Sequence, residues 1–213
     1  MRTTRITVLA LMAAIAVLAL VGAASASATI LCTNSGTQGS PCPSGQTPYT
    51  GSFSANGSIK IAWNSGVIEC SEASQSGSIS NSGGIGKNAL GELTSATLSK
   101  CTDPYCNAAV ATEATGLWWD IDFRSTSGND GMMRTMGSVG YRFTFCSGTI
   151  FKFFCSYTIP SDEHTVHGGE GAELVLSSMG GVKSGGGALC PQTVSFSGKY
   201  TVTQPSSLYV HAY

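Results

Sequence analysis

The sequence predicts an all-β fold, an antiparallel β-sandwich with a β-barrel as the alternative, stapled by disulfides. Three observations carry this. After the first 28 residues helical periodicity is missing, and apolar side chains return at every second position. Gly, Ser and Asn clusters separate these runs, as they do between strands. The chain also holds eight Cys, all beyond Leu31, an even count that reads as a disulfide framework in an exported protein.

Residues 1–28 read as a signal peptide. Arg2 and Arg5 precede an apolar run from Ile6 to Ala24, which ends in Ala24-Ser25-Ala26-Ser27-Ala28. A basic start, an apolar middle and an A-x-A-like end mark a cleavable export segment. Residues 29–213 then form a single domain, without a second long apolar run and so without a membrane span in the mature chain.

The strands follow in order. Ile59, Ile61 and Trp63 alternate with Ser58, Lys60 and Ala62, and Asn64-Ser65-Gly66 turns the chain into Val67–Cys70, a hairpin with a Gly-containing loop. Leu117, Trp119, Ile121 and Phe123 form a second inward set, with Trp118, Asp120 and Asp122 on the other face. Tyr141, Phe143 and Phe145 form a third. Val194, Phe196, Tyr200 and Val202 form the last. Shorter strands are expected around Phe53, Leu98, Val110, Tyr157, Leu174 and Tyr209.

Close spacing suggests pairing Cys32 with Cys42, Cys101 with Cys106 and Cys146 with Cys155, leaving Cys70 with Cys190. The Cys146–Cys155 pair conflicts with strand parity, because Cys146 follows inward Phe145 while Cys155 shares the phase of Phe153 and Tyr157. A β-bulge or a bridge confined to the loop would reconcile them.

Composition limits function. Charged residues make up 11% of the chain, 11 Lys+Arg against 12 Asp+Glu, for a formal net charge of -1. Ordinary domains are about 25% charged. No basic face exists for nucleic acid, no G-x-S-x-G elbow for a nucleophilic serine, and no phosphate-binding order in the glycine-rich stretch around Lys183.

Two constellations can carry chemistry. On an extended strand Trp118, Asp120 and Asp122 share one face, and an indole beside two carboxylates can stack on a sugar and bond its hydroxyls. The same carboxylates suit calcium, and no cofactor is otherwise expected. His164 and His167, beside Asp162, Glu163 and Glu170, are chemically able to bind a transition metal. A dense aromatic group, Phe151, Phe153, Phe154 and Tyr157, belongs to the core, except that Phe154 has outward parity and suits a partner contact.

Several segments together resemble a known group: Ser40-Pro41-Cys42-Pro43; Leu93-Thr94-Ser95-Ala96-Thr97-Leu98 leading to Cys101 and Cys106; Leu117-Trp118; Leu189-Cys190-Pro191; and Lys199–Thr203 with Pro205–Val210. The pattern resembles small exported, Cys-containing β-proteins of actinobacteria, a family without assigned activity. The resemblance implies an exported β domain and transfers no site residues. The functional expectation is a non-catalytic secreted or cell-surface structural or adhesion protein. Its expected partner is a cell-wall or extracellular polysaccharide or another surface protein. A carbohydrate- or calcium-binding module and a secreted hydrolase are the alternatives.

Overall fold

The computed structural model describes residues 29–33, 42–43, 45–84, 87–106, 109–146 and 149–212, so the proposed signal segment lies outside it. Every regular element among the described residues is a strand. Five long strands form one side of the molecule: β3 (Gly51–Trp63), β4 (Gly66–Asn81), β5 (Ala89–Thr102), β13 (Glu173–Gly186) and β14 (Thr193–Gln204). The other side is built from six shorter ones: β6 (Ala109–Thr115), β7 (Trp119–Ser127), β8 (Asp130–Thr135), β9 (Val139–Phe145), β10 (Phe153–Ile159) and β11 (Glu163–His167).

The short strands are three long strands interrupted once each. Both β6 and β7 pair with β5, at opposite ends of it. Likewise β9 lies against β6 and β8 against β7. The β10 and β11 segments both pair with β13, again at opposite ends. The wall is therefore an antiparallel meander of eight strands, and pairing of β14 with β3 closes it into a barrel. Of the two all-β architectures the alternation allows, the chain adopts the closed one, which leaves the wall no free edge.

The hairpin over Asn64–Ser65 forms as the sequence predicts, and the inward sets are buried except for Trp63 and Leu117, which are half-buried. Phe53, Ile61, Phe123, Phe143 and Phe196 fill the barrel, each at most 1% exposed. Outward positions on β3, β4 and β5 are mostly Ser, Thr, Asn, Lys and Glu. A barrel that spans a bilayer has the reverse arrangement, apolar outside and polar within.

A small second sheet plugs one end. It contains β1 (Thr29–Thr33), β2 (Thr47–Pro48), β12 (Gly169–Glu170) and β15 (Ser207–Ala212), in the order β12-β15-β1-β2. All of β1 is buried. Backbone bonds sew this cap to the barrel loops, among them Val210 N–H to Asn129 O at 3.0 Å and Leu31 N–H to Ser82 O at 2.8 Å. Gly131 of β8 is needed here, because a Cβ would collide with the Val210 side chain and the Arg124 carbonyl.

All eight cysteines are bonded, as Cys32–Cys42, Cys70–Cys101, Cys106–Cys146 and Cys155–Cys190. The first pairing agrees with the sequence expectation. The other three replace Cys101–Cys106, Cys146–Cys155 and Cys70–Cys190. The reason is register: Cys70 faces Cys101 across β4 and β5, and Cys155 faces Gly186 at the end of β13, beside the loop that carries Cys190. The parity conflict at Cys146 and Cys155 disappears, because the two are not partners and no bulge is required between them.

Candidate functional site

The three interruptions lie side by side. Pairing lapses over Gly116–Trp118, Met136–Ser138 and Pro160–Asp162, and β13 bulges between Leu176 and Met179 at the same level. Contacts confirm the alignment: Met136 N–H donates to Asp120 O at 2.7 Å, Thr135 N–H to Asp162 O at 2.9 Å, and Glu163 N–H to Met179 Sδ at 2.8 Å. The result is a waist running across four neighbouring strands.

Outside the waist stands Trp118. It is 70% exposed and has φ 83°, a left-handed backbone that costs a bulky residue about 1–2 kcal/mol. Strain of this kind collects at functional positions. Met136, 47% exposed, belongs to the next interruption, and Asp120 is exposed two residues along. A shallow hollow of about 290 Å³, lined by Pro160, Ser161, Glu163, Met179 and Gly180, continues the line. Trp118 and Asp120 lie on the outer face, as the alternation predicts, although Trp118 precedes β7 and is not part of the ladder.

Asp122 differs from both. It points outward but is only 2% exposed, covered by Arg124 Nε at 2.8 Å and Arg134 Nε at 3.1 Å, with Asn88 donating at 3.3 Å. Two guanidinium groups offset its charge, so Asp120 and Asp122 do not form the anionic pair that calcium requires. What remains open to a ligand is Trp118, Met136 and Asp120.

Inside the waist lies a buried polar group centred on His164 and Asp162. His164 is 0% exposed and Asp162 is 3% exposed, and His164 Nε2 lies 3.2 Å from Asp162 Oδ2, off the line of a hydrogen bond. Tyr200 packs edge-on against His164 at 5.7 Å, and Trp119 against Tyr141 at 5.9 Å. Gln75 bonds the Tyr200 hydroxyl. Burial, then the neighbouring Asp162, raises the Tyr200 phenol; burial, then Tyr200 and Asp162, raises Tyr141 well above its ordinary value.

The histidines do not form a metal pair. His164 points into the barrel with Val166, while His167 lies on the opposite face of β11, exposed, with Nδ1 3.3 Å from Asp130 Oδ2. Asp103, Cys106 and Cys146 do converge within 4.8 Å, but both sulfurs belong to one disulfide. The Asp103 carboxylate is occupied in accepting backbone N–H bonds from Tyr105, Cys106 and Cys146 at 2.7–3.1 Å.

A third region, opposite the short strands, is a groove of about 610 Å³ over β14, β3, β4 and β5, lined by Lys60, Lys100 and Lys199 among Ser and Thr. Each lysine is paired, with Glu69, Glu72 and Glu173 respectively. Comparison with known proteins finds no matching family model, no similar curated protein and no similar solved structure.

Proposed function

We propose that the protein is an exported, non-catalytic surface protein that adheres to an extracellular or cell-wall polysaccharide through Trp118. The observation that carries this reading is an indole held out from a polar wall by a strained backbone, with a thioether and a free carboxylate close by. A sugar ring offers a C–H face for the indole and hydroxyls for Asp120. Four disulfides and a chain with no membrane-crossing helix among its described residues are compatible with life outside the cell.

Hydrolysis has less support. The two buried carboxylates among the described residues are Asp122, engaged by two arginines, and Asp162, enclosed within the barrel. Neither faces a cleft where an acid and a base could flank a bond.

Pull-down of the mature protein on insoluble polysaccharides tests the proposal. Retention should fall about tenfold in Trp118→Ala, the scale of one lost aromatic platform of about 1.5 kcal/mol. Equal retention of wild type and variant, or no retention of wild type on any polysaccharide, would refute it.

A further inference from the structure

The barrel end opposite the cap carries a different surface. Two hairpin tips meet there, one between β9 and β10 and one between β13 and β14, joined by pairing of β10 with β13 and by Cys155–Cys190. From them project Ile150, Phe151 and Leu189, exposed by 92%, 77% and 66%, while Phe154 flanks them on β10 with Arg142 Cζ 5.1 Å from its ring centroid. Large apolar side chains grouped this way mark a contact surface.

An aromatic cluster lies beneath the tips. Trp63 stacks on Tyr105 at 6.3 Å, Tyr105 meets Phe145 and Phe153 edge-on at 5.2 and 5.3 Å, and Phe145 stacks on Phe153 at 5.0 Å. Cys106–Cys146 ties that cluster together.

The balance of charge differs between the two ends of the barrel. From Val139 to Ile159 and from Met179 to Gly198 the chain carries Arg142, Lys152 and Lys183 and no acidic residue. Nearby acids are engaged: Asp103 by three backbone N–H groups, and Glu113 by Arg142 at 3.7 Å. The half next to the cap holds Asp120, Asp122, Asp130, Glu163, Glu170 and Glu173 against Lys87, Arg124, Arg134 and Lys199, and is acidic on balance.

We propose that this end inserts its tips into an anionic lipid surface. The apolar groups project from a convex end, so the medium that receives them must deform around them, as the acyl boundary of a bilayer does. Lys152 and Lys183 sit where phosphate headgroups would meet them. A polysaccharide would leave Ile150 and Leu189 in water, and a protein partner would need a cleft shaped to both tips. This attachment is independent of Trp118.

Co-sedimentation of the mature protein with phosphatidylcholine vesicles, with and without phosphatidylglycerol, tests it. Binding should favour the anionic vesicles and weaken with salt. Ile150→Ser with Phe151→Ser should reduce it at least tenfold, and Lys152→Glu about fivefold or more, while Trp118→Ala leaves it unchanged. All three sites are exposed, so an unaltered circular dichroism spectrum will show that the fold is kept. No binding by wild type, or binding that survives the double substitution, overturns the proposal. So does retention on a polysaccharide or protein through Ile150 and Phe151 without vesicle binding.

Discussion

At the residue scale the buried phenols govern behaviour at high pH. Burial pushes Tyr157 up to about 12, and Tyr141 and Tyr200 are also raised, whereas an unfolded tyrosine titrates near 10. The folded barrel keeps protons that the unfolded chain has already released. Stability from these groups is complete below about pH 10, falls as pH rises from there, and for Tyr157 is lost through about pH 12. Difference absorbance should show exposed phenols ionising first, then a late wave that coincides with loss of near-ultraviolet dichroism. A single titration near pH 10 with the fold intact would contradict this. The waist interior was also partly readable from residues: in Glu163–His167, His164 shares the phase of Val166 and His167 does not. Strict alternation alone separates the two histidines, whereas grouping residues by chemical type joins them.

At the element scale the strands were legible because each uninterrupted run alternates cleanly, as at Tyr141, Phe143 and Phe145. The interruptions were not, since exposure keeps alternating through Leu117-Trp118-Trp119 although the pairing lapses there, so the segment looked like continuous strand. The disulfides failed for a related reason. Neighbours in a meander of long strands bring together cysteines 31 to 40 residues apart, so proximity along the chain misleads at every site except Cys32–Cys42. Non-reducing peptide mapping should recover Cys70–Cys101, Cys106–Cys146 and Cys155–Cys190. Replacing Cys106 and Cys146 with Ser should destabilise the fold by about 2–5 kcal/mol, measured by urea denaturation. It should also loosen the base of the exposed tips. Recovery of Cys101–Cys106 or Cys146–Cys155 peptides would show that the strand register given above is wrong.

At the scale of the whole molecule, alternation could not choose between a sandwich and a barrel, because both bury every second residue. Closure was decided by contact between strands remote in sequence, β3 and β14, and by the cap that fills the open end. Leu31, Leu208 and Val210 of the cap belong to the same apolar cluster as Phe53, Phe123 and Met133 of the barrel. A cap that shares its core with the wall cannot melt first without opening the wall to water. Leu31 is 0% exposed, so Leu31→Ala should cost about 2–5 kcal/mol. For a chain of this size that lowers Tm by roughly 5–15 °C, as one cooperative transition followed by calorimetry and by dichroism alike. Two separated transitions, the first sensitive to Leu31→Ala and the second not, would show that the cap folds as an independent unit and that the barrel end is sealed by its own side chains.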